Sequence, residues 1–244
     1  MNTMIECQAA LTPVVESMRA PLGDYAKLVG EIAGASLKGL TLFGRITGSS
    51  FDPTHRTARS VMVVERAELG MLRRLAEHGL RLGRAGIAAP LVMTPKYIEA
   101  SVDTFPLELI EIQQHHLTLR GEDHFNKLTF EDADVRLQCE RELKVLLIGL
   151  RQGLLSAAGR EKFIEAVAEE AGDAVMRSLR GMLWLGGQKD GKPDETLIGE
   201  TETLLKRKLP GVRRSIDPNA TLGWSEFETL YGDVEALGEF ANAW

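Results

Sequence analysis

Residues 39–66 read GLTLFGRITGSSFDPTHRTARSVMVVER. Two apolar runs, LTLF at residues 40–43 and VMVV at 61–64, flank a segment rich in Gly, Ser and Thr. Short, wholly apolar runs bounded by glycine predict buried strands. A glycine turn lets backbone N–H groups converge on an anion, and hydroxyls add donors. The spacing therefore predicts strand, glycine turn, strand, with Gly44, Arg45, Gly48, Ser49 and Ser50 as a candidate phosphate-binding loop. Arg56 and Arg59 add planar guanidinium groups suited to an anion beside Gly48.

Outward from this stretch, helical spacing covers residues 10–35. Pro21, Gly23 and Asp24 interrupt it and predict two helices, the second capped by Asp24. Residues 68–82 predict one amphipathic helix with Leu69, Leu72, Leu75, Leu80 and Leu82 turned inward. A third strand is expected over 88–93, a short helix at PKYIEASVD, and a fourth strand over 107–112 after Pro106, where Glu108 and Glu111 punctuate the apolar residues. Alternating strands and helices favour a small sheet with helices packed on it.

Beyond residue 123 strand signals stop. Helices are expected over 132–155, 161–185, 197–209 and from Trp224 onward, the last capped by Thr221 or Ser225. GGQKDGKPDE and LPGVRRSIDPNAT read as loops. Trp184, Trp224 and Cys139 fall on apolar stripes and read as core residues. The expectation is an α+β chain: a sheet domain over residues 1–124 and a helical bundle over 125–244.

The 244 residues are 44% hydrophobic and 26% charged, enough for a sizeable core. A net charge of -6 argues against general nucleic-acid binding. Two cysteines, Cys7 and Cys139, make no disulfide framework, which points to a reducing, cytoplasmic setting. No apolar run approaches the length of a membrane span, and the acidic N-terminus does not read as a secretory signal. His115 and His116 are adjacent, and His55, His78 and His124 have no ligand-spaced neighbour, so no zinc site is expected.

LTLFGRITGSSFD followed by an apolar strand resembles the nucleotidyltransferase superfamily, the fold of DNA polymerase beta and of the aminoglycoside nucleotidyltransferases. DTFPLELIEIQQHHLTLRGEDHF resembles that domain's closing strand and its turn into a helical domain, and DADVRLQCERELKVLLIGLRQGLL resembles the first bundle helix of bacterial members. The resemblance covers residues 25–155; the remainder matches only as helical. It implies a glycine-serine pair after the first strand, an Asp-x-Asp pair opening the second, and a third carboxylate from a later strand, which together hold two Mg²⁺ ions and a nucleoside triphosphate. Two divalent ions need several converging anionic oxygens, and side chains two apart on a strand share a face.

The chain departs from that pattern. Arg45 follows Gly44, and the positions matching the aspartates are Ser60 and Met62. The remaining acids are Asp52 in the loop and Glu108 and Glu111 as remnants of the metal face. The resemblance thus implies a degenerate member, a pseudoenzyme without two-metal catalysis or resident metal, binding a nucleotide, another anionic ligand or a protein partner in the cleft between sheet and bundle, or pairing as a homodimer. Two alternatives stand beside it: an active Mg²⁺-dependent enzyme with Asp52 and Glu108 or Glu111 as unusual ligands, and an interaction protein that uses its bundle.

Overall fold

The computed structural model describes residues 10–47, 57–158, 160–217 and 219–243. The chain divides into two compact units, Met1–Val102 with Glu111–Thr129, and Asp103–Ile110 with Phe130–Trp244. Against the expected division after residue 124, residues 103–110 group with the helical half and 125–129 with the sheet.

Among the described residues α1 (Glu16–Ala33) runs unbroken through the stretch where Pro21, Gly23 and Asp24 were expected to divide two helices. Pro21 lies inside it and Asp24 caps nothing. A mid-helix proline costs about 3 kcal/mol. Met18, Leu22, Tyr25, Ala26, Val29 and Ala33 nevertheless form one buried stripe running past it, and that burial outweighs the lost hydrogen bond. A short turn leads to β1 (Leu37–Phe43), followed by β2 (Arg59–Val64), β3 (Leu91–Met93) and β4 (His116–Gly121). The sheet order is β3-β2-β1-β4. β1 runs antiparallel to β2 and β4, and β2 runs parallel to β3. Leu40, Leu42, Met62, Val64 and Leu119 share a core with the α1 stripe.

Between β2 and β3 the single helix expected over 68–82 is two, α2 (Leu69–Ala76) and α3 (Gly79–Arg84). Leu69 and Leu80 are 82% and 80% exposed rather than inward. At 100° per residue Leu69 lies about 120° from buried Leu75 within α2 and Leu80 about 160° from buried Leu82 within α3, and Gly79 weakens a continuous helix at the break. β3 is shorter than expected because Pro90, just before it, has no N–H for the ladder. Ile87 makes only an isolated bridge to Ala58. The short helix α4 (Pro95–Glu99) follows, capped by the Thr94 hydroxyl, which accepts from the Tyr97 N–H at 3.1 Å.

The fourth strand expected over 107–112 is instead a helix, α5 (Pro106–Gln114), and the fourth strand is β4. Glu108 and Glu111 are therefore helical residues three apart, not neighbours on a sheet face. Leu107, Leu109, Ile110 and Ile112 are all buried. A helix covered on several sides loses its one-sided apolar stripe, and LELIEI then imitates a strand's alternation.

The second unit packs α6 (Asp132–Ala157), α7 (Glu161–Leu185), α8 (Asp194–Leu205), α9 (Pro210–Ser215) and α10 (Trp224–Ala243). Its core takes Leu107 and Ile110 of α5 with Val135, Cys139, Leu143 and Leu150 of α6 and Val175, Leu179 and Met182 of α7. Gly181 allows close approach of α7, for a Cβ there would strike Leu107 and Cys139. α9 interrupts what was expected to be a loop. Two buried carboxylates explain it. Asp233 accepts from the N–H groups of Gly211 and Val212 at 2.7 and 3.2 Å, and Glu202 accepts from the N–H of Leu209 at 3.0 Å. Neither Thr221 nor Ser225 caps α10 as expected: Ser225 is inside the helix, and the Glu226 carboxylate takes the N–H of Gly223 at 3.1 Å. Trp184 is buried, but Trp224 is 47% exposed, stacked on Phe227 at the helix start. No helix among the described residues is long and apolar enough to cross a membrane.

Candidate functional site

β1 ends at Phe43, and the chain turns at Gly44, whose φ of 75° is a left-handed conformation that favours glycine. Its N–H donates to the carbonyl of His115 at 2.8 Å, and its carbonyl accepts from the Thr47 hydroxyl at 2.9 Å. The Gly44 N–H is thus held by the chain just before β4 and is not presented to a ligand. Gly48, Ser49, Ser50 and Asp52 lie outside the described residues, as do His55 and Arg56.

β2 begins opposite this turn, with Arg59 paired to Phe43 across the ladder. The Arg59 guanidinium lies 4.3 Å from the centroid of the Phe43 ring and donates to Glu111 Oε1 at 3.0 Å. The Glu111 side chain is only 13% exposed, that of Arg59 46%. A Cβ on Gly44 would stand 3.5 Å from Glu111 Oε1 and 3.8 Å from Arg59 Nη1, so all four residues meet at one corner of the sheet. The guanidinium is held by charge from α5 and by the aromatic face from β1.

Strand alternation sends the next residue the other way. Ser60 is buried, its hydroxyl 2.8 Å from that of Tyr25 on α1. Burial pushes the Tyr25 phenol up to about 12, with the Ser60 hydrogen bond opposing, so the pair is neutral. Met62 is fully buried in the same core. Ser60 and Met62 therefore point into packed protein, away from Arg59.

Glu108 accepts from Gln138 Nε2 at 2.7 Å, while Gln138 Oε1 accepts from the N–H of Leu107 at 2.8 Å, so Glu108 belongs to the α5–α6 packing of the second unit. Glu111 and Glu108 thus have different partners. Beside the corner, His116 at the start of β4 has Nε2 3.0 Å from Asp123 Oδ2 and Nδ1 2.9 Å from the carbonyl of Gln113. Burial raises the Asp123 carboxyl, but the hydrogen bonds from His116, Phe125 and Asn126 outweigh it and hold it below the ordinary range.

A pair of Mg²⁺ ions needs several free anionic oxygens. Glu111 is the one carboxylate at this corner among the described residues, and Arg59 already neutralises it. No group of three or more His, Cys, Asp or Glu among the described residues could hold a metal ion. The described side chains do not fit the two-ion site of the resemblance. Sequence reasoning named Arg59 only as a loop cation; its pairing with Glu111, 52 positions away, has no local signal. It also missed Glu202, which is 3% exposed, bonded bidentately by Arg213 at 2.9 Å and by Lys208 at 3.0 Å.

No protein-family model and no curated protein matches the sequence. Among solved structures, the chain is similar to spectinomycin adenyltransferase AAD(9) from Enterococcus faecialis, determined with ATP and spectinomycin. The TM-score is 0.59 over 91% of this chain and 98% of that one, at 10% identity, which makes the likeness one of fold. With its four-stranded mixed sheet and C-terminal helices, the chain has the α+β architecture of the nucleotidyltransferase fold.

Proposed function

We propose that this chain is a nucleotidyltransferase-fold protein in which metal-dependent transfer has been replaced by binding of an anionic ligand, a nucleoside triphosphate being the first candidate because the similar solved structure holds ATP. One observation carries the reading: the corner formed by Gly44, Phe43 and Glu111 holds the guanidinium of Arg59, and β2 carries no carboxylate. A fixed guanidinium is a cation already in place. Glu111 takes its Nη1 donor, and in this reading the rest of the half-exposed guanidinium fork would turn to phosphate oxygens. Gly44 makes the turn, and Arg45 with Gly48, Ser49 and Ser50 would supply the loop that follows it in the sequence.

The test is thermal unfolding with ATP in the presence and absence of Mg²⁺. Ligand at 100 times its Kd stabilises by about 2.7 kcal/mol, which for a chain this long raises Tm by roughly 5–10 °C. A shift of that kind without Mg²⁺, diminished in Arg59→Ala, is expected. A shift that requires Mg²⁺, accompanied by pyrophosphate release, would overturn the reading in favour of an active enzyme using Asp52 with Glu111.

A further inference from the structure

α2 and α3 bury Met71, Leu75 and Leu82 and carry a second set of leucines outward. The unit Leu-x-x-x-Arg occurs as Leu69 with Arg73 and again, eleven positions later, as Leu80 with Arg84. Glu77 and His78 join the two helices and keep right-handed helical backbone, with φ -58°, ψ -22° and φ -96°, ψ -3°. The helical phase therefore carries across the break. At 100° per residue Leu69, Arg73, Leu80 and Arg84 fall within an arc of roughly 60°. Both leucines, 82% and 80% exposed, stand clear of their neighbours.

The cations beside them are free. Among the described residues the side chains of Arg66, Arg73, Arg81 and Arg84 make no hydrogen bond or ion pair. Arg74 is engaged: its Nη2 donates to the Ile32 carbonyl at 2.9 Å and fixes α2 against the end of α1. The acids of the stretch are Glu65, Glu68 and Glu77, and Glu65 is paired with Lys38 at 3.2 Å. The surface is thus locally basic in a chain of net charge -6. Its cations are all arginine, whose fork matches phosphate oxygens.

The spacing selects the occupant. A protein partner needs an apolar centre from which water is excluded, and two leucines separated by Arg73 and Glu77 provide none. A nucleic-acid backbone offers the leucines no apolar contact. A bilayer needs only separate insertion points, with cations at the depth of the headgroup phosphates. We propose that the outer row of α2 and α3 docks on an anionic lipid surface. Leu69 and Leu80 enter the acyl boundary, and Arg73 and Arg84, with Arg66 and Arg81 beside them, pair headgroup phosphates. The Debye length is about 10 Å at 0.1 M salt, so the bilayer meets these near charges before the net charge of the chain. The docking is peripheral and reversible, and it is independent of whether the Arg59 corner binds an anion.

Flotation of the full chain with unilamellar vesicles tests this. Phosphatidylcholine vesicles containing one-third phosphatidylglycerol should carry the chain at about 0.1 M salt and lose most of it at about 0.5 M. Phosphatidylcholine alone should carry none. Leu69→Ser combined with Leu80→Ser should lower the partition coefficient by about tenfold or more, as should Arg73→Gln combined with Arg84→Gln. All four side chains are exposed, so far-ultraviolet dichroism and Tm should be unchanged. Leu155→Ser, at a comparably exposed leucine of α6, should bind as the parent does. A chain that ignores the anionic vesicles, a leucine or arginine double variant that binds as the parent does, or a loss in Leu155→Ser equal to that of the α2–α3 pair would each overturn the proposal. So would self-association through Leu69 and Leu80 without vesicle binding, which would assign the row to a second copy.

Discussion

Gly44 shows how one residue can carry a turn. Its φ of 75° is open to glycine, whereas an alanine there would be strained even though its Cβ would meet nothing closer than 3.5 Å. Gly44→Ala should therefore lower unfolding free energy by about 1–2 kcal/mol through backbone strain alone, read from urea titration at unchanged m-value. Glu202 is the contrasting case of a buried charge. The bidentate Arg213 hydrogen bond, against burial and with help from the Leu209 N–H and Lys208, holds its carboxyl down to about 2 from 4.5. A depressed folded pKa means stability that is fully present above the unfolded value and lost as the carboxylate protonates in the fold. Glu202→Gln should thus destabilise by about 1–3 kcal/mol at pH 7, and the gap from the parent should close as pH falls from about 4.5 to about 2. A gap constant across that range in denaturant titrations would show that the ion pair is not its source. The turn at Gly44 is legible from the apolar strand it ends, whereas the role of Glu202 is not visible locally, because its partners come from a following loop and helix.

Among the elements, the long helices α6 and α7 and the strands β1 and β2 were legible because each hides one face or is hidden entirely, and period then reports burial. The misreadings have separate causes. α5 is buried on several sides, α1 keeps a proline because its stripe is continuous, and α9 has only six residues and no stripe. α9 exists because Asp233 of α10 takes its first two N–H groups. Burial raises the Asp233 carboxyl, with those two hydrogen bonds opposing, so its ionised form contributes less to stability than its shape and acceptor oxygen do. Asp233→Asn, which keeps an acceptor, should therefore cost less than about 1 kcal/mol, whereas Asp233→Ala, which leaves two buried donors unpaired, should cost about 2–4 kcal/mol. Chemical denaturation of the two variants separates the cases, and equal losses would mean that the charge itself is needed.

At the scale of the whole molecule, a net charge of -6 sets the long-range field. Nucleic-acid backbones are repelled by it, so fluorescence anisotropy should detect no binding of a generic DNA duplex below about 10 µM at ~150 mM salt; tight, salt-sensitive binding would reveal a basic surface that the total conceals. The composition and the periodic runs by themselves determined the α+β class, the glycine turn between β1 and β2, the absence of acids on β2, and a helical second half, since each depends only on which residues follow one another along the chain. Only the tertiary structure decided that Leu107 to Ile112 is helical, that Arg59 pairs with Glu111, and that Ser60 and Met62 face inward. The physical reason is the same in each case: burial and ion pairing are settled by neighbours distant in sequence, and a local pattern carries no record of which neighbours those are.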